Sequence, residues 1–463
     1  MCVGSFFARG FYMSDTLTDH PHLSAPIGRT MFNLAAPNSI AMFINMMAIS
    51  AEAYFVGLHG VVPLAGLALV FPLFLMMNTL SAGAIGGAVS GLMARYAGAN
   101  DRASAEAIAF HAVLVGVGFS GFFAALFLLG GEAIFTLLGA RDGVLEQAII
   151  YSNICFAGVA TIWVSNILGA ILRGLGEMKP SAFWGVVASS VQVVSCMVLV
   201  IGLGPIEAMG IGGAAWSAIL AYGVSTIGQA IHLRRATRQI RLRVTPIERR
   251  YFVEIISIGL TASIASFCMI GTNIVISGFA ARLGPEALAG FGIGLRLEFI
   301  MIPLVFGVGA ACINMIGIHY GAGQIDRAHK IGWFGAAVAI AISGTIGMFF
   351  ALFPSLLTDL FTDNLAARQA ASTYLRIVAP FYGFLGLGLC LYFASQGTGR
   401  VLWAAIGNVT RFSIAFFGGT LLLHYDALTA QNLSWVMSIG LVFYGSVIAA
   451  SVKLGAWRVG LTK

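Results

Sequence analysis

The sequence predicts an all-α integral membrane protein in which twelve transmembrane helices form two lobes of six. Three observations predict this fold class: a very low charge content, a succession of long apolar runs, and a repeat that relates the two halves of the chain. Of the 463 residues, 59% are hydrophobic and 9% are charged, whereas soluble domains carry about 25% charged residues. The composition therefore excludes a soluble enzyme, a nucleic-acid-binding module and a disordered chain.

The apolar runs define the spans in order. Each run has about 20 residues or more and lacks the alternation of a membrane β-barrel strand, so each predicts one membrane-crossing helix. Several runs exceed the length that a bilayer requires, which indicates tilted helices. The expected spans are 30–57, 62–92, 107–130, 147–172, 180–202, 208–232, 252–281, 287–318, 331–353, 370–395, 401–424 and 430–452.

The polar segments between these runs divide the chain further. The segment after the sixth span carries seven arginines and is expected to link two six-helix halves. Residues 1–26 show no cleavable signal pattern, and Met13 is an alternative start. The expected parts are an N-terminal tail (1–29), an N-lobe (30–232), a basic linker (233–250), a C-lobe (251–453) and a C-terminal tail (454–463).

Lysine and arginine are distributed unequally between the two ends of the spans. The odd-numbered connectors hold Arg141, Arg282 and Arg368, and three more arginines lie inside spans. Basic residues concentrate on the cytoplasmic side of membrane proteins, so both termini are expected in the cytoplasm. The termini and even-numbered connectors hold the other 19 of the 25 basic residues: Arg9, Arg29, Arg95, Arg102, Arg173, Lys179, Arg234, Arg235, Arg238, Arg241, Arg243, Arg249, Arg250, Arg327, Lys330, Arg400, Lys453, Arg458 and Lys463.

Short motifs recur in the two halves at a nearly constant separation. Leu64-Ala-Gly in the second span matches Leu288-Ala-Gly in the eighth, and Tyr96-Ala-Gly-Ala-Asn-Asp-Arg-Ala matches Tyr320-Gly-Ala-Gly-Gln-Ile-Asp-Arg-Ala. Arg173-Gly-Leu-Gly after the fourth span similarly matches Gln396-Gly-Thr-Gly after the tenth. Six spans per half make this a parallel repeat, and substrate sites of such transporters lie near the interface between the repeats.

Two carboxylates, Glu52 in the first span and Glu298 in the eighth, lie deep enough in the apolar runs to be functional candidates. A charged side chain costs at least about 2.5–3.5 kcal/mol at the centre of a membrane helix, so such residues are rare without a role. Each is predicted to bind and release a proton, because burial disfavours the charged form. The alternative for Glu52 is an interfacial position. The alternatives for Glu298 are a cation-binding group of the C-terminal half and a structural ion pair with Arg411.

Other residues of the spans are candidates for lining a substrate cavity. Pro37 predicts a bend in the first span because proline removes a helix hydrogen bond. The alternative role of the polar side chains is to join helices by hydrogen bonds. These candidates are Pro37, Asn45, Asn78, Asn166, Gln192 and Arg411. The six cysteines form no Cys-x-x-Cys pair and no P-loop occurs, so we expect no metal, no cofactor and no ATP-driven transport.

The motifs together resemble the multidrug and toxic compound extrusion (MATE) family, and most closely its DinF-like branch. The resemblance rests on Glu52-Ala-Tyr-Phe-Val-Gly, the two Tyr-Ala/Gly motifs given above and Ile171-Leu-Arg-Gly-Leu-Gly-Glu, and it covers about residues 28 to 455. It implies a V-shaped pair of six-helix lobes that exports organic cations in exchange for H⁺ or Na⁺. It also implies that Glu52 takes the place of the family's first-helix acidic residue.

The resemblance also indicates which ion drives export. Gln192 and Cys196 stand where the family's fifth helix often has Asn and Asp, and Ala218 replaces a sixth-helix Thr. A sodium site there would lack most of its hard oxygen ligands, and apolar Met269 stands near the seventh-helix Glu of the sodium-type branch. We therefore predict a proton-coupled multidrug antiporter with Glu52 as the first coupling site and Glu298 as a second one in the C-lobe.

Several alternatives remain open at this point. A sodium-coupled exporter and a flippase for lipid-linked saccharides belong to the same superfamily, although the flippase requires more basic residues than Arg296, Arg376 and Arg411 inside the spans. A membrane-embedded enzyme lacks a catalytic motif here, and a channel does not need a two-lobed repeat. The predicted partners are the lipid bilayer and a small, cationic organic substrate, with no nucleic acid, for a monomer in the bacterial inner membrane.

Overall fold

A computed structural model describes residues 24–202, 207–235, 237 and 239–458, and these residues form helices joined by short connectors. Eleven helical segments are long and apolar enough to cross a membrane, and a bent pair of helices makes a twelfth. The predicted all-α class with twelve spans is therefore confirmed. The tail before residue 24, which includes the alternative start at Met13, lies outside the described residues.

Eight helices form the N-lobe. A π-helical segment, Thr79–Ile85, joins α2 to α3 within one span, and α5 and α6 form the bent pair, at 50° to each other. The helices are α1 (Ile27–Gly57), α2 (Val61–Asn78), α3 (Gly86–Gly98), α4 (Arg102–Leu137), α5 (Asp142–Ala157), α6 (Val159–Gly174), α7 (Met178–Ile201) and α8 (Gly210–Arg235).

Eight further helices form the C-lobe. The span made by α13 and α14 is interrupted by a 3₁₀ turn, Ala379–Phe381, which contains Pro380, so it is broken at the place where α5 and α6 are broken in the N-lobe. The helices are α9 (Arg249–Arg282), α10 (Pro285–Gly321), α11 (Ile325–Leu352), α12 (Ser355–Phe361), α13 (Leu365–Val378), α14 (Tyr382–Thr398), α15 (Leu402–His424) and α16 (Ala430–Lys453).

The repeated Leu-Ala-Gly motif has a packing role that is the same in both lobes. A Cβ atom on Gly66 would lie 3.0 Å from the backbone nitrogen of Ala148, on α5. A Cβ atom on Gly290 would lie 2.7 Å from the backbone nitrogen of Ala371, on α13. Each glycine thus lets a long inner helix approach the backbone of the broken span of its own lobe, as small residues do at membrane helix interfaces.

Two helices, α1 and α9, contribute to the apolar core of both lobes. Met31 and Leu34, near the start of α1, are buried in the C-lobe core, whereas Val56, near its end, is buried in the N-lobe core. Conversely, Tyr251 and Ile258 of α9 belong to the N-lobe core, and its later turns belong to the C-lobe core. The two lobes therefore exchange the first turns of their first helices.

The lobes approach each other most closely at the end of the bundle where the basic linker lies, here called the linker end. A Cβ atom on Gly98 or Gly321 would clash with backbone of the opposite lobe, at Ile318 and Arg95 respectively. A guanidinium nitrogen of Arg95 donates to the carbonyl oxygen of Thr398 over 3.1 Å. These contacts involve α3, α10 and α14 and close the cleft between the lobes at the linker end.

Candidate functional site

The carboxylate of Glu52 lies inside the N-lobe and accepts hydrogen bonds from two neutral side chains. The hydroxyl of Tyr151 donates to Oε1 over 2.7 Å, and the amide nitrogen of Gln192 donates to Oε2 over 2.9 Å. Glu52 is only 6% exposed, so the carboxylate is largely separated from solvent. Within the described chain, no lysine or arginine lies within ion-pair distance of it.

Three different helices position this group. Glu52 lies in the last two turns of α1, Tyr151 in the middle of α5, and Gln192 in the second half of α7. Cys155 and Cys196 follow Tyr151 and Gln192 by one helical turn each, and both thiols are buried. The helix contacts that place Tyr151 include Gly66, which brings α2 against α5. The carboxylate and its two hydrogen bonds thus join α1, α5 and α7.

A second polar group in the N-lobe consists of amide and hydroxyl side chains. The amide nitrogen of Asn166 donates to Asn78 Oδ1 over 3.0 Å and to Ser81 Oγ over 2.7 Å. The amide nitrogen of Asn78 donates to the hydroxyl of Tyr222 over 3.2 Å, and that hydroxyl also hydrogen bonds Asn45. Ser81 lies in the π-helical segment after Asn78, a distortion that is frequent at functional sites.

The C-lobe contains a different kind of carboxylate site. Glu298 Oε1 and a guanidinium nitrogen of Arg411 are 2.5 Å apart, and both side chains are 2% exposed. The guanidinium also lies 5.9 Å from the centre of the Tyr444 ring. Glu298 Oε2, Arg411 Nε and Arg411 Nη1 are buried without a hydrogen-bond partner among the described residues. The negative charge of Glu298 is therefore compensated within the protein, unlike that of Glu52.

The structure brings together some of the predicted site residues and separates others. Gln192 contacts Glu52, and Asn45, Asn78 and Asn166 share the second polar group. Arg411 lies in the interior of the C-lobe, against Glu298, and does not line a cleft surface. Pro37 lies within α1, which remains helical through that residue.

Three residues of the N-lobe sites were not predicted from the sequence: Tyr151, Ser81 and Tyr222. Each occurs in an apolar run where tyrosine or serine is ordinary, so its type alone carries no signal. The repeat offers one clue for Tyr151, because Tyr374 stands at the equivalent place in the C-lobe and lies near Glu298. Among the described residues, no group of three His, Cys, Asp or Glu side chains is arranged to hold a metal ion.

Comparisons with known proteins agree with this architecture. The family described as MatE matches residues 37–224 and 262–421. A FAD transporter from Shewanella oneidensis is 24% identical over 394 residues, which is 85% of this chain and 87% of the relative. A probable multidrug resistance protein, NorM, from Thermotoga maritima is 23% identical over 379 residues, or 81% of each chain.

A solved structure extends the similarity to the fold. It is described as the outward-facing conformation of a multidrug resistance MATE family transporter of the MOP superfamily, and it superposes with a TM-score of 0.86 at 23% identity. The match covers 96% of this chain and 100% of that one. The two-lobed arrangement of helices is thus shared over nearly the whole chain.

Proposed function

We propose, from the premise that this chain belongs to the MatE family of transporters, that it exports small organic compounds in exchange for protons and that Glu52 is the coupling residue. One observation carries the proposal: Glu52 is a buried carboxylate that accepts hydrogen bonds from neutral donors and has no described cation beside it. Such a group can exist either as the ionised form, with a cation nearby, or as the neutral acid.

Proton uptake at Glu52 would change the hydrogen bonds around it. An ionised carboxylate only accepts hydrogen bonds, whereas the neutral acid has one O–H donor. Tyr151 and Gln192 both donate to the carboxylate, so a new O–H at Glu52 needs an acceptor, which either of them supplies if it turns. The Gln192 amide can do so by exposing its oxygen, and the Tyr151 hydroxyl can do so by rotating. The contact between α1, α5 and α7 would then rearrange.

In the proposed orientation, the linker end and both termini lie in the cytoplasm of a bacterial cell, as the distribution of basic residues indicates. Because the cleft is closed at the linker end, it would then be accessible from the side of the inner membrane opposite the cytoplasm. A proton from that side would neutralise Glu52 and remove its attraction for an organic cation. The cation would leave, and the lobes would reorient and release the proton inside. The amide group around Asn78 and Asn166 would hydrogen bond the substrate.

Sodium fits the Glu52 site less well than a proton does. Sodium requires several hard oxygen ligands, as other alkali and alkaline-earth cations do. Gln192 directs its amide nitrogen towards Glu52, and the neighbouring position Cys196 carries a thiol. Glu298 is assigned no coupling role in this proposal because Arg411 already compensates its charge. The protein would belong to the DinF-like branch and exchange its substrate through the N-lobe alone.

Efflux in proteoliposomes tests the proposal. The purified protein should expel a cationic dye under an imposed pH gradient and should fail to do so under a sodium gradient of equal size. Glu52→Gln should abolish dye efflux, while the elution volume and the unfolding temperature of the variant stay those of the unmodified protein. Glu132→Gln is the matched control, since Glu132 is an exposed carboxylate on α4. Efflux driven by sodium, or normal efflux by Glu52→Gln, would contradict the proposal.

A second candidate substrate is a flavin nucleotide. The observation that favours it is the similarity to the FAD transporter of Shewanella oneidensis over 85% of this chain. Such an anion would require countercharges, and the exposed span residues Arg296 and Arg376 are the available cations. Inverted vesicles that accumulate FAD in preference to a cationic dye, and lose this with Arg296→Gln, would support this candidate over the first.

A further inference from the structure

The basic linker between the lobes is docked on the N-lobe by specific hydrogen bonds. The backbone N–H of Arg241 donates to Glu106 Oε1 over 2.9 Å, and Arg243 Nε donates to Oε2 of the same carboxylate over 2.7 Å. Further along, the backbone N–H of Glu248 donates to Nε2 of His111 over 3.0 Å. Glu106 and His111 both lie in the first turns of α4. The segment from 241 to 248 is thus held extended against the start of α4.

The apolar side chains of the docked linker differ in exposure. Ile240 is 2% exposed and belongs to the N-lobe core, with Leu242 packed against that core. Val244 and Ile247 are 83% and 73% exposed. These two apolar side chains lie three residues apart on a segment that hydrogen bonds fix to α4. The described part of the chain leaves both of them largely uncovered.

The linker and the helix ends beside it also carry exposed arginines. Arg234 and Arg235 end α8, Arg241 lies on the linker, and Arg249 begins α9, and all four are exposed. None of the four forms an ion pair with another described residue, whereas Arg243 pairs with Glu106 and Arg250 pairs with Glu248. Glu106 and Glu248 are therefore already paired, and a third carboxylate near the linker, Glu177, hydrogen bonds His232 and Thr237. The exposed side chains of the linker thus carry an excess of positive charge.

We propose that the exposed residues of the linker and of the helix ends beside it, Arg234, Arg235, Arg241, Val244, Ile247 and Arg249, bind anionic phospholipid headgroups of the adjacent leaflet. The linker joins the ends of two spans, so it lies at the level of the bilayer surface. Basic residues beside membrane helices attract anionic lipids, and apolar side chains among them enter the boundary between headgroups and acyl chains. The combination of both residue types on one fixed segment distinguishes a membrane contact from a solvated loop.

The proposed contact does not depend on the transported compound or on the coupling ion. It depends on the linker lying beside the bilayer, which follows from the two spans that it connects. Because the linker is attached to the N-lobe through Glu106 and His111, bound lipid would hold the N-lobe at the membrane surface while the C-lobe moves. Anionic lipid should consequently affect transport rate as well as binding.

Lipid crosslinking of the full-length protein tests the proposal. The protein is placed in nanodiscs of phosphatidylcholine that contain a minor amount of photoactivatable phosphatidylglycerol, and crosslinked peptides are mapped. We expect crosslinks concentrated on residues 241–249 and several times fewer with photoactivatable phosphatidylcholine. Arg241→Gln with Arg249→Gln should reduce the phosphatidylglycerol crosslinks severalfold, and so should Val244→Ser with Ile247→Ser. High salt should reduce the crosslinks that depend on the arginines more strongly than the crosslinks that depend on Val244 and Ile247.

The matched control carries the same loss of charge at the opposite end of the bundle. Arg141→Gln with Arg282→Gln removes two exposed arginines from the odd-numbered connectors and should leave crosslinking of the linker unchanged. Equal crosslinking by the two lipids, or no loss in the Arg241/Arg249 variant that remains folded, would overturn the proposal. Dye efflux by the linker variants distinguishes failure of the lipid proposal from failure of the coupling proposal, because these variants retain Glu52.

Discussion

The side-chain amide of Asn314, on α10 of the C-lobe, donates a hydrogen bond to the carbonyl oxygen of Gly174, at the end of α6 in the N-lobe, over 2.7 Å. The same amide donates to the carbonyl oxygen of Arg173 over 3.0 Å. The last carbonyl groups of a helix have no partner within that helix. The Asn314 amide of the opposite lobe is the partner of the Gly174 carbonyl here, whereas the Arg173 carbonyl also accepts from the backbone N–H of Gly176 over 3.0 Å. This contact stabilises closure of the cleft at the linker end.

Asn314→Ala should weaken that closure. Removal of the donor leaves the Gly174 carbonyl without its partner, at a cost of about 1–3 kcal/mol, whereas the Arg173 carbonyl keeps its hydrogen bond from Gly176. Spin labels at Lys179 and Lys330, which are exposed residues of opposite lobes, should report a larger population of long distances in this variant. Asn408→Ala is the control, because Asn408 makes its hydrogen bonds inside the C-lobe, to Ala404 of α15 and Tyr444 of α16. An unchanged distance distribution would exclude a gating role for Asn314.

Replacement of one partner of the Glu298–Arg411 pair should destabilise the C-lobe. A buried charge without its partner costs about 3–5 kcal/mol, whereas replacement of both by apolar residues of similar volume is often neutral. We expect Glu298→Met and Arg411→Met each to lower the unfolding temperature strongly, and the double variant to recover most of the loss. Thermal unfolding in detergent measures all three.

The conservative variant Glu298→Gln distinguishes a structural role from coupling. A structural ion pair predicts a loss of thermal stability together with measurable efflux from the folded fraction. If Glu298→Gln instead keeps full stability and loses proton-driven efflux, the carboxylate is a coupling site. The second outcome would restore the role that the sequence predicts for Glu298.

Tyr151→Phe should slow transport without unfolding the protein. The substitution keeps the ring but removes one of the two hydrogen bonds to the Glu52 carboxylate, and a hydrogen bond to a charged group contributes about 1.5–3 kcal/mol. We expect the initial rate of dye efflux to fall by about tenfold or more. Tyr374→Phe is the control at the equivalent place of the C-lobe and should change the rate little. Equal losses in both variants would mean that both lobes take part in coupling.

The start of α4 should lose stability at low pH. Asp101 caps this helix by accepting a hydrogen bond from the backbone N–H of Ser104 over 3.0 Å, and hydrogen bonds from Ser104 hold the pKa of Asp101 below its usual value. The stabilisation is present above the unfolded-state pKa and is lost as the pH falls through the lower pKa of the folded state.

Asp101→Ala should remove that stabilisation at every pH, at a cost of about 1 kcal/mol. Thermal unfolding at neutral and acidic pH measures the difference in unfolding temperature between Asp101→Ala and the unmodified protein. This difference should be smaller at acidic pH. Gln324→Ala is the control, since Gln324 precedes α11 at the corresponding place but makes no capping hydrogen bond through its side chain. A larger effect of Gln324→Ala would contradict the capping argument.

The sequence predicts the spans well because membrane helices are specified by long apolar runs. The expected eighth span, 287–318, corresponds to α10 at Pro285–Gly321, and the repeated glycines indicate close packing before any contact is seen. Glu52 is found by its charge alone. Tyr151 is not found, because its role depends on α5 meeting α1, and α5 is placed by contacts between residues far apart in the chain.

The role of Glu298 is a similar case. The sequence indicates a buried carboxylate and names Arg411 as one candidate partner, but the distance between them depends on how α10 packs relative to α15. The structure brings the two side chains into contact. The apolar pattern of α1 and α9 likewise contains no sign that their first turns lie in the opposite lobe.

That exchange of first turns means that neither half of the chain encodes a complete hydrophobic core. A half ending at the linker would expose the N-lobe surfaces that Tyr251 and Ile258 cover, and a half starting there would lack Met31 and Leu34. Separately expressed halves should therefore need one another to fold. The gene duplication implied by the repeat would first have produced a protein whose two copies completed each other, as partners in a swapped dimer do.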